Sequence, residues 1–151
     1  MTRKDYFLLY LLSAVFYAVL TFFVQAPGYM DAEYYYAGGI HLVSGTGLSE
    51  PYLWNYLSNP DVVPVHAFSY WMPLTSLVSA AGMWLTSSKS FTAARLLFIL
   101  AAGCVPLVSA WMAEKTYPKK GSGWLAGVIA LFSVYYLIHL TTTDSFALMM
   151  I

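Results

Sequence analysis

The sequence predicts an all-α integral membrane protein: a polytopic helical bundle of about three complete spans and the start of a fourth. Interface-lying helices are expected along a long first external loop. Three observations predict this: a composition too apolar for water, apolar runs long enough to cross a bilayer, and basic residues confined to a few loops. Of 151 residues, 60% are apolar and 9% charged, against about 45–50% and about 25% in average soluble domains. Such a chain cannot cover a water-facing surface, which excludes an ordinary soluble enzyme and a disordered tail. Seven Lys and Arg balance seven Asp and Glu, so no net field draws the chain to polyanions and no nucleic-acid partner is expected. The single cysteine, Cys104, permits neither an internal disulfide nor a Cys-based metal site.

The first span is Tyr6–Val24, an unbroken run without a charge, preceded by Arg3 and Lys4. A secretory signal would begin in the same way, and Val24-Gln25-Ala26 loosely resembles a cleavage site. Its apolar region would be about 7–15 residues long, so an uncleaved span is the better reading. Phe91–Ala113, interrupted by Arg95, is the second span. Trp124–Leu140, shorter and with His139 near its end, is the third. Phe146–Ile151 opens a fourth apolar run, so residues 1–151 are expected to be one transmembrane domain forming the N-terminal part of a larger module.

Met72–Thr86 is apolar but rich in Ser, Thr, Ala and Gly. It is about 22 Å long as a helix, short of the roughly 30 Å hydrocarbon layer. Tyr70, Trp71 and Trp84 place interface-seeking rings at its ends. Lysine placement arbitrates between a short span and an interface helix. Cytoplasmic loops favour Lys and Arg, so Arg3 and Lys4 put the N-terminus in the cytoplasm, in a cell (inner or plasma) membrane. No Lys or Arg occurs from Asp5 to Ser88, whereas Lys115, Lys119 and Lys120 crowd the next loop. Those lysines reach the cytoplasmic side only if Met72–Thr86 does not cross. Residues 26–90 then form one external loop, and Asp144 faces the same compartment.

That loop is rich in Tyr, Trp, Leu and Val, unlike a disordered linker. After the Pro27-Gly28 turn, Asp31–Ser44 reads as a helix stopped by Gly45. Tyr34, Ala37, Gly38 and His41 share its face. Asp31 and His41 lie roughly 15 Å apart along the helix, too far for a direct acid–base pair unless Gly38-Gly39 breaks it. Asp31 reads either as a helix N-cap or as a catalytic carboxylate. Asp144, in the Thr141–Ser145 turn between apolar helices, reads either as a cap or as a functional acid, since an acid at membrane depth is costly. For His41, His66 and His139 the competing reading is packing and hydrogen bonding. For Tyr34-Tyr35-Tyr36 it is a membrane anchor, and for Glu50 and Asp61 solvated loop charges.

Taken in order, these segments resemble a known family. They are Gly28-Tyr29-Met30-Asp31-Ala32-Glu33-Tyr34-Tyr35, then Gly45-Thr46-Gly47, then His66-Ala67-Phe68-Ser69-Tyr70-Trp71-Met72-Pro73-Leu74, then Ser90-Phe91-Thr92-Ala93-Ala94-Arg95-Leu96 and Thr143-Asp144-Ser145. The set resembles the N-terminal third or so of C-type (GT-C) membrane glycosyltransferases, nearest to the protein O-mannosyltransferase and aminoarabinose-transferase branch.

The resemblance implies transfer of a sugar from a polyprenyl-phosphate donor to an acceptor hydroxyl on a lipid, glycan or protein, with inversion at the outer membrane face. Asp31 matches the catalytic acid after the first span, and Asp144 the second acid. Arg95, Lys89 and His66 are the candidates for the donor phosphate. Glu33, Tyr34 and His41 are candidates for the substrate pocket. No cofactor is required, and Asp31 with Asp144 is an alternative ligand pair for a divalent metal. A non-catalytic scaffold subunit of the same fold is the main rival. A transporter is disfavoured because no charge lies in the middle of a span.

Overall fold

The computed structural model describes residues 1–50, 53, 59, 61–69 and 71–151; Tyr70 lies outside them. The described chain is mainly helical. Helix α1 (Arg3–Leu20) opens with a capping box: Thr2 accepts from the Asp5 N–H, and the Asp5 carboxylate accepts from the Thr2 N–H. A 3₁₀ turn, Thr21–Phe23, extends it.

Among the described residues two stretches are long and apolar enough to cross a membrane, Arg3–Phe23 and Leu96–Thr116, each of 21 residues. At helical rise each reaches about 31 Å. The second is jointed rather than smooth. Helices α4 (Phe91–Ala94), α5 (Leu96–Ala102) and α6 (Val105–Thr116) are separated at Arg95 and at Gly103-Cys104. Pro106 lies in the first turn of α6 and has no N–H to give, which explains the second joint.

The span expected at Trp124–Leu140 is not one helix. It divides into α7 (Ser122–Leu131) and α8 (Val134–Leu140). Phe132 and Ser133 leave the helical path there, and the Phe132 ring packs edge-on against Phe16 at 5.1 Å. No Pro or Gly marks this break; a tertiary ring contact accompanies it. A last turn, α9 (Phe146–Met149), follows the Thr141–Ser145 segment.

The loop after α1 carries helix α2 (Met30–Val43), two short strands and helix α3 (Leu74–Thr86). Helix α2 matches the expected Asp31–Ser44 closely and stops at Gly45, whose φ of +80° is costly for a side-chain-bearing residue. It runs unbroken through Gly38-Gly39. These glycines allow close packing instead: a Cβ on Gly38 would lie 2.5 Å from Ser76 Oγ, and one on Gly39 2.7 Å from Ser79 Cβ. Helix α3 therefore lies against α2 along its length, and Met83 packs on Tyr36, Ile40 and Val43. The pairing is parallel: Tyr35 meets Thr75 near both starts, and Ser44 meets Lys89 beyond both ends. The intervening chain returns through strands β1 (Ser49–Glu50) and β2 (Val65–His66), paired antiparallel with Ser49 opposite His66.

The helices leave two distinct ends. At one, Glu114 of α6 accepts from the N-terminal ammonium and, at 2.9 Å, from the Tyr6 hydroxyl. Arg3, Lys4, Lys115, Lys119 and Lys120 belong to this end by chain position. At the other, Arg95 reaches the carbonyls that finish α1. Between them lies a core of Tyr17, Ile99, Ala102, Val105, Leu131, Leu140 and Ala147.

The α3–α4 contact gives a stability test. A Cβ on Gly82 would lie 2.4 Å from the Ala93 carbonyl oxygen, a backbone atom with no rotamer to move. Gly82→Ala is expected to destabilise by about 1–3 kcal/mol, the usual cost of overpacking. Thermal unfolding in detergent measures it, and an unchanged midpoint contradicts the packing described.

Candidate functional site

The Thr141–Ser145 turn is where distant segments converge. Thr141, Thr142, Thr143 and Asp144 are all at most 2% exposed. A buried hydroxyl needs a partner, and the Thr142 and Thr143 hydroxyls find theirs on another part of the chain. Thr142 Oγ1 donates to the Pro27 carbonyl at 3.1 Å, and Thr143 Oγ1 to the Ala32 carbonyl at 2.7 Å. These two bonds clasp the turn against the first turn of α2. Asp31 and Asp144 are thereby held near one another although they stand at opposite ends of the sequence.

The two carboxylates differ. Asp144 is fully engaged: Oδ1 accepts from the Ser145 N–H at 2.5 Å and the Ser145 hydroxyl at 3.2 Å, and Oδ2 accepts from the Tyr29 hydroxyl. Asp31 is half-buried in the first turn of α2, where the N-cap position falls to Tyr29 and no side chain caps the helix. The capping reading of Asp31 is therefore not what the structure uses. Burial first, and then the Asp144 charge, raises the Asp31 pKa above the ordinary carboxylate range. Burial likewise pushes Tyr35 up to about 12, with Asp144 and Asp31 adding to it.

Tyr29 escapes a reading of the sequence as a bridging residue, while His139 packs and hydrogen-bonds as expected. Tyr29 bridges Asp144 and His139, whose Nδ1 lies 3.0 Å from the Tyr29 hydroxyl. The His139 ring sits edge-on to Tyr29 at 5.2 Å and against Phe146 at 4.7 Å. Only the shared compartment of His139 and Asp144, at two ends of one short turn, hints at this in the sequence.

The other site candidates lie elsewhere. Glu33 is exposed on α2. Tyr34 is buried and faces the loop: its hydroxyl accepts from the Phe68 N–H at 2.9 Å and bonds Glu50. His41, at the far end of α2, meets Thr46 Oγ1 at 3.0 Å, and its charge also acts on Glu50. Because α2 is unbroken, Asp31 and His41 do not form a pair.

Glu50 corrects an expectation. It is no solvated loop charge but 4% exposed, clasped between Tyr34 and the β1–β2 pairing. Asp61 is exposed, as expected.

The three phosphate candidates each have a separate setting. Lys89 is exposed and donates to Ser44 Oγ at 2.8 Å. His66 is exposed, with Nδ1 2.7 Å from the Ala67 carbonyl. Arg95 is 2% exposed, donates to the Val24 and Thr21 carbonyls at 2.5 and 3.0 Å, and stacks 4.6 Å from the Phe91 ring centre. It does not snorkel outward.

A metal bridging the acids does not fit these residues. Both Asp144 oxygens already accept hydrogen bonds, and among the described residues no group of three or more His, Cys, Asp or Glu is placed to hold an ion. Beside the clasp, Leu20, Phe23, Val24, Leu137, Ile138 and Thr141 line an apolar groove of about 390 Å³. No family model, curated protein or solved structure matches this chain.

Glu50 supplies a test of the loop clasp. Burial raises its pKa, opposed by the Tyr34 hydrogen bond and the His41 charge. A raised folded pKa means its contribution to stability is greatest below the unfolded value and is lost as pH rises through the folded value. Glu50→Gln keeps an acceptor for Tyr34 and is expected to flatten the fall in stability between acid and neutral pH. Glu50→Ala removes one acceptor for the Tyr34 hydroxyl, which keeps the Phe68 N–H, and is expected to cost about 1–3 kcal/mol. Melting curves of both variants across that pH range decide it.

Proposed function

We propose that this chain is part of a polytopic membrane glycosyltransferase of the C-type, taking its sugar from a polyprenyl-phosphate carrier. One observation carries the reading: Asp31, with a raised pKa and no described hydrogen-bond donor engaged, beside Asp144, which is held by three. The apolar groove next to them supports it, because a prenyl chain must lie in apolar surroundings while its sugar reaches the acids. In this reading α1, α5–α6 and α7–α8 cross the bilayer of a cell membrane, and α2 and α3 lie at the outer face. The N-terminus and the three-lysine loop are cytoplasmic.

The chemistry follows from the difference between the acids. An acceptor hydroxyl gives its proton to Asp31 as its oxygen attacks the anomeric carbon. The carbon–oxygen bond to phosphate breaks, and the electron pair leaves with the phosphate. Attack opposite the leaving group inverts the anomeric centre. A base with a raised pKa is better matched to this task than an ordinary carboxylate. Asp144 does not touch the proton; its fixed charge keeps the Asp31 pKa high. The departing phosphate stays on its prenyl carrier: the Arg95 fork is occupied by carbonyls, and Lys89 sits on Ser44, roughly 20 Å from Asp31 along α2, so neither reaches it.

Asp31→Asn in membranes containing the whole protein is expected to lower sugar transfer from a polyprenyl-phosphate donor by about 10²–10⁴-fold, the usual share of a general base. Transfer that survives with the fold intact refutes the assignment.

Asp144→Asn tests the tuning. It removes the charge that raises the Asp31 pKa, so Asp31 ionises at lower pH. The acid limb of kcat/KM should move to lower pH, and an unmoved limb contradicts the role. Lys119→Cys should label from the cytoplasmic side and Ser88→Cys from outside; the reverse overturns the orientation.

A further inference from the structure

A second groove lies at the opposite end of the bundle, between the end of α6 and the start of α7, with a volume of about 470 Å³. Its walls are apolar: Ala113 from α6, and Leu125, Ala126 and Ile129 from α7. Leu125 and Ile129 lie one helical turn apart, both 64% exposed, so the groove runs down the helix away from the loop. Its mouth is basic. Lys119 and Lys120 line it, and the Lys119 ammonium sits 4.8 Å over the Tyr117 ring, which lines it too. A tight turn, with the Ser122 N–H on the Lys119 carbonyl at 3.0 Å, keeps both lysines at the head of α7.

The charges there are unbalanced. Glu114 is the closest acid in the sequence, and it is taken by the N-terminal ammonium and Tyr6. Among the described residues no ion pair involves Lys115, Lys119 or Lys120. The hydroxyl of Ser122, another lining residue, is buried without a hydrogen-bond partner. Helix α7 begins at Gly121 with no side-chain cap and no acid in its first turn, so its positive end is uncompensated.

We propose that this groove is a binding site for an anionic glycerophospholipid. The phosphate sits between Lys119 and Lys120 and accepts from Ser122 at the head of α7. One acyl chain lies between α6 and α7 along Leu125 and Ile129. Charge complementarity selects the headgroup, and the apolar walls select a chain attached to it; a nucleotide or free phosphate would leave those walls wet. The site is independent of the acid cluster, and loss of transfer activity in Asp31→Asn has no bearing on it. It rests only on the membrane reading.

The test uses the purified whole chain in phosphatidylcholine nanodiscs, titrated with phosphatidylglycerol and followed by native mass spectrometry and thermal unfolding. Phosphatidylglycerol should be retained and should raise the melting temperature, whereas glycerol phosphate and inorganic phosphate should do neither. Lys119→Ala with Lys120→Ala should weaken phosphatidylglycerol retention about thirtyfold, the effect of two cations at the strength of membrane-surface lysines. Ala126→Trp, which fills the groove, should weaken it with the lysines intact. Arg3→Ala with Lys4→Ala, at the same end but off the groove, should leave it unchanged. Equal retention of the two lipids, a response to phosphate alone, or an equal loss in the Arg3/Lys4 variant overturns the proposal.

Discussion

Buried carbonyl oxygens that no neighbouring N–H meets each need a donor from elsewhere in the protein. That constraint organises the acid end of this molecule. The carbonyls closing α1 are met by the Arg95 guanidinium. The carbonyls of Pro27, before α2, and Ala32, in its first turn, accept from the Thr142 and Thr143 hydroxyls. In each case the donor comes from a distant part of the sequence. Satisfying the backbone and assembling the tertiary structure are here the same act. Cations also favour the negative end of a helix, so a buried arginine without a carboxylate partner is tolerable under α1. Removing Arg95 would strand the Val24 carbonyl, whereas that of Thr21 keeps the Val24 N–H.

The acid pair is a by-product of that stitching. The threonines pull the 141–145 turn onto the first turn of α2, and the two carboxylates come along with the backbone. Having them near one another is costly, because like charges in a poorly hydrated site repel. The structure settles the cost unequally. Asp144 receives three donors, while Asp31 carries a raised pKa, from burial first and the Asp144 charge second. A pair with shared donors would behave differently, and its two sites would titrate as one coupled unit.

Much of this is legible from spacing and charge, and the rest fails for identifiable reasons. The absence of Lys and Arg from Asp5 to Ser88 is enough to put Asp31 and Asp144 at one end of the molecule. The Asp31–Ser44 helix is legible because a turn, an early acid and a terminal glycine bracket it. Glu50 is misread because charge alone argues for solvent; its burial depends on a Tyr34 hydroxyl and a return strand far away in sequence. The Trp124–Leu140 break is invisible because hydropathy averages over a kink that no Pro or Gly signals. The link between His139 and Tyr29 is not legible because neither residue is unusual alone. Their pairing exists only once the turn is clasped.

The proton arrangement of that pairing can be worked out. An ionised Asp144 can only accept, so the one Tyr29 hydroxyl proton points at Oδ2. Tyr29 then offers only lone pairs to His139, and the imidazole must carry its proton on Nδ1, 3.0 Å away. The chain of donation runs His139 to Tyr29 to Asp144, and every donor in it faces the same carboxylate. Burial and the Asp144 hydrogen bond both raise the Tyr29 pKa, so the tyrosine stays a donor throughout the physiological range. Among the described residues Asp31, across the clasp, has no such supply of donors.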